Sequence, residues 1–315
     1  PYTATMLGIK QVYPGRYEPE RLVQMIKDHK VTFSHCVPTI LQMVLNAEGA
    51  KDFDFGGMRV IIGGSALNRS LYNAAQAKGM QLGAAYGMSE TCPLISAGYI
   101  NLEDEAASEE QRISQRIKAG VPGPLVEARL MAADGSFLPK DGTTQGELVL
   151  RAPWLTQAYF REPEKSQELW AGGWLHTGDV ATISPAGTIE IRDRIKDVIK
   201  TGGEWLSSLE LEDRISRSPL VAEVAVVGIP DPRWDERPFA LVVPAAGQTV
   251  TAQAISDHLM PSVEEGHINK WAIPRQIAVV SEIPKTSVGK LDKKRIRGDI
   301  AGWLESEASC ISSLD

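Results

Sequence analysis

The chain has 315 residues, 43% of them hydrophobic, and a formal net charge of −7 at pH 7. That length and apolar content allow one large or two ordinary domains with a real core, and the acidic balance argues against a nucleic-acid partner, which wants a basic face. No apolar run approaches the ~20 residues that span a bilayer. No signal-peptide pattern opens the chain, and Cys36, Cys92 and Cys310 stand far apart, so a reducing compartment, the cytoplasm, is the default expectation.

In chain order, Glu18 to Lys30 has apolar positions at Leu22, Val23 and Ile26, an acidic start and a basic end, and predicts a helix. Val31 to Val37 reads as a strand, and Pro38 opens the next helix, Thr39 to Leu45. Met58 to Ile62 is a short apolar run stopped by Gly63-Gly64, in character a buried parallel strand. Asn68 to Lys78 reads as a helix and Met80 to Ala85 as a strand. This alternation predicts an α/β layer with a parallel sheet over residues 1–119.

From Gly120 the texture changes. Leu125 to Leu130, Gly146 to Arg151, Val180 to Ser184 and Thr188 to Arg192 are short strands between Gly, Pro and Asp, and predict a small antiparallel β subdomain over 120–193. Asp193 to Asp197 is a charged junction that reads as a linker. Beyond it, helix Ser207 to Ser216, strands Glu223 to Gly228 and Phe239 to Val243, helix Thr251 to Met260 and strand Gln276 to Val280 predict a compact α+β domain over 194–315. The Ser-rich, acidic tail from Glu305 to Asp315 is expected to fray. The five histidines never fall at metal-ligand spacing with cysteine, so no zinc site is expected.

Three segments carry chemistry. Tyr86-Gly87-Met88-Ser89-Glu90-Thr91 follows a strand. Trp174-Leu175-His176-Thr177-Gly178-Asp179 ends in a turn carboxylate. Ile283-Pro284-Lys285-Thr286-Ser287-Val288-Gly289-Lys290 puts one lysine in a Pro/Gly-punctuated loop, with Gly289 letting it bend closely around a ligand. Taken singly, each has an ordinary reading. Lys290 shares a lysine-rich surface segment with Lys285, Lys293 and Lys294, Ser89 and Glu90 suit a helix N-terminus, and Gly178-Asp179 suits a turn.

Together and in this order the three resemble the signature set of the adenylate-forming superfamily of acyl-CoA synthetases, peptide-synthetase adenylation domains and luciferases. The resemblance covers nearly all of residues 1–300. It implies a two-step reaction in which a carboxylate attacks the α-phosphate of ATP, giving acyl-adenylate and pyrophosphate, and a thiol then attacks the acyl carbon. It implies that Lys290 is the adenylation catalyst, that Glu90 holds Mg²⁺ and Thr91 contacts phosphate, and that Tyr86 stacks on adenine. By the same resemblance Gly63, Gly64 and Ser65 approach the base, Gly87 lies in the nucleotide segment, and Asp179 and Arg194 hold the ribose. Lys196 matches a hinge about which the C-terminal domain rotates. Lys200 and Gly203 then face the site in the second state, Gly203 letting pantetheine pass; a plain β-hairpin is the alternative there. His176 reads as structural.

Ile199 to Glu210 (IKTGGEWLSSLE), with Val37-Pro38-Thr39 and Tyr86 to Glu90, resembles the medium- and long-chain fatty acyl-CoA ligase branch. That implies fatty acid, ATP/AMP, Mg²⁺ and CoA as ligands, with an apolar acyl tunnel between the strand near His35 and the segment Gly83 to Met88. It allows a homodimer. The family's Ser/Thr/Gly-rich phosphate loop is not among these residues, so the chain is expected to be the C-terminal part of a longer enzyme. A non-catalytic nucleotide- or CoA-binding fragment, and a domain loading a carrier protein, are the competing expectations.

Overall fold

The computed structural model describes residues 2–98, 108–286, 290–305 and 310–313. Ser287, Val288 and Gly289, and with them the bend assigned to Gly289, lie outside the described residues.

The first layer begins with α1 (Tyr2–Met6), α2 (Pro19–His29), β1 (Phe33–Cys36), α3 (Pro38–Leu45), β2 (Arg59–Ile62), α4 (Arg69–Gln76) and β3 (Gln81–Tyr86). Strands β1, β2 and β3 are parallel and in register, with Cys36, Ile62 and Ala84 in one row. Proline at the first turn starts α2 and α3, and the Asn68 side chain accepts from the Leu71 amide to cap α4. One sheet face packs on these helices through Val60, Ile62, Leu82 and Ala84 against Val23, Leu41, Leu71 and Tyr72. The expectation of strands buried on both faces is corrected here. Phe33 and His35 are exposed and Ile61 only half-buried, so the strands alternate. The expected acyl tunnel also changes form. β2 lies between β1 and β3, and His35, Ile61 and Gly83 form one row across the other face, with the Gly98 carbonyl against Gly83.

Antiparallel β4 (Ser96–Ala97) extends this sheet, α5 (Glu109–Arg116) follows it in the chain, and β5 (Val121–Pro122) completes the sheet. A second, four-stranded antiparallel sheet comprises β6 (Glu127–Met131), β7 (Gly146–Arg151), β8 (Leu175–Ile183) and β9 (Ile189–Arg194), with α6 (Pro163–Leu169) between β7 and β8. Its core is Leu130, Leu148, Leu150, Leu175, Ile183 and Ile189, all essentially inaccessible. Two strand boundaries differ from expectation. Leu125 has φ +65° and is exposed, so β6 starts after it. β8 starts at Leu175 rather than Val180, taking the Thr177-Gly178-Asp179 segment into the sheet through irregular register.

The third part holds β10 (Ile199–Thr201), β11 (Glu204–Leu206), α7 (Ser208–Ser216), β12 (Val221–Asp231), β13 (Asp235–Pro244), α8 (Ala252–Glu264), β14 (Gln276–Val279), α9 (Lys293–Gly298), α10 (Ile300–Glu305) and β15 (Cys310–Ser313). β12 and β13 form a long antiparallel pair, and β14 runs parallel to β13. Alternation puts Val224, Val226, Ala240 and Val242 with α7 and α8 on one face. Ala225, Val227, Phe239 and Leu241 lie with Ile296 of α9 on the other. Two expectations are corrected. Cys310–Ser313 pairs antiparallel with β14 instead of fraying, because that edge offers free backbone groups. Asp193 and Arg194 are strand residues, so the junction is confined to the turn at 195–197.

Candidate functional site

Three parallel strands end at one edge, where an open α/β sheet presents ligand sites. The residues after them are Val37, Gly63-Gly64 and Gly87 onward. The Gly63 N–H donates to the Cys36 carbonyl (3.2 Å), tying the first two ends together. Burial pushes the Cys36 thiol up to about 11, which keeps it protonated and unreactive.

Lys290 comes to this edge from the far end of the sequence. A Cβ placed on Gly64 would stand 3.2 Å from Lys290 Cε, 3.2 Å from a Val37 methyl and 3.5 Å from Lys290 Nζ. Gly64 also has φ +84°, where only glycine is comfortable. The loop holding Lys290 closes on itself. Thr286 N–H donates to the Lys290 carbonyl (2.7 Å), Asp292 N–H to that of Pro284 (2.8 Å), and Lys290 N–H to Thr286 Oγ1 (3.2 Å).

At the end of β3 the Tyr86 hydroxyl donates to Asp179 Oδ2 (2.5 Å). Arg194 stands opposite Asp179 in the β8–β9 ladder, its Nε 3.4 Å from Oδ1. Asp179 is 6% exposed. Burial raises its pKa, while the Tyr86 hydrogen bond and the Arg194 charge oppose that rise. Burial and Asp179 together drive the Tyr86 hydroxyl well above the usual phenol range. The expected pair Asp179 and Arg194 is thus assembled, and Tyr86 has a role not anticipated, holding the carboxylate. A carboxylate offers about four acceptor positions, so Asp179 keeps acceptor capacity beyond the Tyr86 bond.

Glu90 is half-buried, and Tyr159 donates to its Oε1 (2.6 Å) while the Thr156 N–H donates to its backbone carbonyl (2.9 Å). Burial, with Glu90 alongside, pushes the Tyr159 hydroxyl up to about 12. One carboxylate with a second oxygen to spare suits Mg²⁺, which takes one or two carboxylates plus phosphate oxygens rather than an all-protein cage. Among the described residues no cluster of three or more His, Cys, Asp or Glu could hold a metal alone.

Thr91 does not serve as expected. It is fully buried, and its hydroxyl contacts the Met88 N–H and the carbonyls of Met88 and Pro93 (2.9 Å each). A tight turn points it inward, and Ser89 is the exposed hydroxyl of the segment. Gly87 is required by packing, since a Cβ there would overlap the Pro93 carbonyl. Ser65 is exposed beside Gly64. His176 is structural. It bridges Glu147 Oε2 (2.8 Å) and the Ala171 carbonyl (3.1 Å), while Glu147 Oε1 accepts from the Gly178 N–H (3.0 Å).

Lys196, Lys200 and Gly203 follow β9, on the turn at 195–197 and the β10–β11 hairpin. Lys196 is exposed in the turn at 195–197. Lys200 is exposed on β10, its N–H donating to Glu236 (2.8 Å). Gly202 and Gly203 both have positive φ and close the β10–β11 hairpin, as a two-residue turn of this kind requires. Two shallow depressions flank Trp170, and neither is lined by Lys290, Glu90 or Asp179. Tyr159 and Glu147 were not legible as site residues, because their partners lie 69 and about 30 residues away and no local motif marks them.

The chain matches the family model described as AMP-binding enzyme over residues 1–160 and that of the AMP-binding enzyme C-terminal domain over 210–290. It is 39% identical over 302 residues to a long-chain-fatty-acid–CoA ligase of Thermus thermophilus, covering 94% of this chain and 54% of that protein. It is 37% identical over 307 residues to a 3-methylmercaptopropionyl-CoA ligase of Ruegeria lacuscaerulensis, covering 96% and 56%. Its fold superposes on the amide bond synthetase McbA of Marinactinospora thermotolerans with a TM-score of 0.77 at 28% identity, over 90% of this chain and 55% of that one. The chain therefore spans about half the length of the curated relatives it matches. With both family models matched along the chain and relatives this similar over nearly all of it, the chain belongs to the AMP-binding enzymes.

Proposed function

We propose that this chain carries the C-terminal portion of an ATP-dependent fatty acid–CoA ligase. The reaction joins a carboxylate to AMP with release of pyrophosphate, then passes the acyl group to the CoA thiol with release of AMP. The observation that carries this reading is Lys290 packed on Gly64 at the ends of the parallel strands. An ammonium there neutralises charge as the carboxylate oxygen approaches the α-phosphate, and fixed positive charge is the largest aid such a step can have. Asp179 and Arg194 orient the ribose, Glu90, positioned by the Tyr159 hydroxyl, would hold Mg²⁺, and Ser89 replaces Thr91 as the hydroxyl donor to phosphate. The metal would supply positive charge to the phosphates there.

In this reading residues 1–193 belong to the large domain, and 194–315 form a module that turns about Lys196. Lys290 must leave before a thiol enters, and the Lys200 hairpin with Gly203 takes its place. Fatty acid is favoured over other carboxylates by the IKTGGEWLSSLE segment and by the similarity to the Thermus ligase. The acyl chain would lie along the row His35, Ile61 and Gly83.

A second reading is a nucleotide- or CoA-binding module without turnover. The test is pyrophosphate release with ATP, Mg²⁺, CoA and fatty acids of graded length, with Lys290→Ala alongside. Release that depends on one chain-length class, and falls about 10²–10³-fold in the variant, supports the ligase. AMP binding with no release from either protein supports the binding module.

A further inference from the structure

Asp193 is a buried carboxylate that the proposed chemistry does not use. It is 1% exposed, the penultimate residue of β9 before the turn at 195–197. Its Oδ2 accepts from both the N–H and the hydroxyl of Ser208 at 2.6 Å each, and Ser208 is fully buried on α7. Lys293, three residues beyond Lys290, donates to the same Ser208 hydroxyl (2.7 Å) and pairs with Glu212 Oε1 (2.7 Å). Glu212 also accepts the Val226 N–H (2.8 Å). The Lys293 and Glu212 side chains are about nine-tenths buried, at 10% and 11% exposure. Two buried carboxylates thus converge on one ammonium and one hydroxyl.

The members of this network come from different parts of the fold. Asp193 belongs to the four-stranded sheet, whereas Ser208, Glu212 and Lys293 belong to α7 and α9, which cover the third sheet. Along the chain only the turn at 195–197 joins the two. Other bonds across the seam are weaker or use neutral groups: Arg69 N–H to Asp213 at 3.3 Å, and the Ser207 hydroxyl to the Arg192 carbonyl. Separating a buried carboxylate from its donors leaves an uncompensated charge, which is far costlier than losing a neutral bond. A second cation of α9, Arg297, lies 2.6 Å from Asp197 Oδ1 without hydrogen-bond geometry, and Asp197 sits beyond Lys196 in the turn. That pair does not span the two sheets.

We infer that Asp193 and Lys293 are positioning residues, a charged latch through Ser208 that holds α9, and with it Lys290, against the ends of the parallel strands. This deepens the functional reading, but the latch itself needs no catalysis and is tested without substrate. Spin labels are placed at exposed positions in α4 and α9, by Gln76→Cys and Lys294→Cys with the native cysteines replaced by alanine. The distance distribution is measured in the 315-residue chain. Asp193→Asn, which keeps shape and removes charge, is expected to lower the ratio of short-distance to long-distance molecules about tenfold, equivalent to about 1.4 kcal/mol. Lys293→Met should do the same and Lys293→Arg should restore the short distance, while Arg297→Gln leaves it unchanged. A short distance that persists in folded Asp193→Asn overturns the latch. An equal loss in Arg297→Gln also overturns it, since that would be general loosening. If Lys293→Met does not fold, Asp193→Asn decides. A working latch without pyrophosphate release would leave this inference standing and remove only the ligase.

Discussion

Asp179 illustrates how one buried group is held ready to bind. Burial raises its pKa, and the Tyr86 hydroxyl and the Arg194 guanidinium pull it back. Its protonation accordingly favours the fold at low pH, a contribution lost as pH rises through the folded-state value. Ribose hydroxyls need the ionised carboxylate as acceptor. Tyr86→Phe removes the hydrogen bond that favours the ion, so Asp179 stays protonated to higher pH. AMP affinity measured by calorimetry across pH should lose its acid limb at higher pH, by about one unit for each 1.4 kcal/mol the bond is worth. An unmoved limb would mean that another group controls binding. The proximity of Asp179 to Arg194 was legible in the sequence because each sits in a contiguous motif of the resembled family. Thr91 was misread because a rotated turn, not residue type, decides which of two neighbouring hydroxyls is exposed. Asp193 looked like linker for a similar reason. Its burial depends on Ser208 and Lys293, up to 100 positions along the chain.

Among the elements, β8 has the most demanding task. Its first residues leave regular register with β7 between Glu147 and Val149, and again with β9 between Val180 and Ala181. Glu147 spans the irregular stretch, one oxygen on the Gly178 N–H and the other on His176. The Thr177 hydroxyl adds a bond to the Leu148 carbonyl (2.7 Å). Such bulges aim a side chain that a regular strand would misdirect. Glu147→Ala should therefore weaken AMP binding several-fold while costing only about 1–3 kcal/mol of stability. Titration and thermal melting of the same sample check both; a large stability loss with unchanged affinity would assign Glu147 to the fold alone. Sequence patterning found α2 through apolar spacing and charged ends, α3 through Pro38, and α4 as a stretch between two strands. It missed α5, although Ser108 and Gln111 form a reciprocal cap there, and it missed α9, which Asp292 caps through the Arg295 N–H (3.0 Å). Both helices are short and polar, with Ile113 and Ile296 as their buried residues, so periodicity had little to register.

At the scale of the molecule, the cores of the first two sheets are separate from those of the third. Polar contacts and the Lys290 loop bridge them, so the two regions should unfold as distinguishable units. Leu241 is inaccessible on β13. Leu241→Ala should cost about 2–5 kcal/mol, and in calorimetry only one transition should fall, by about 4–8 °C for each kcal/mol in a unit of this size. A single transition shifting as a whole would show the seam to be stronger than its contacts suggest. The parallel sheet has a different consequence. Among the described residues β1 is its outer strand, its backbone unpaired on one side, with Phe33 55% exposed and Tyr2, Met6, Leu7, Ile9, Tyr13 and Tyr17 also bare. An unpaired strand edge is a template for another chain's backbone. The colloidal behaviour of the isolated polypeptide, its solubility on concentration and its shelf life, should therefore respond to a charge or a proline placed on this margin.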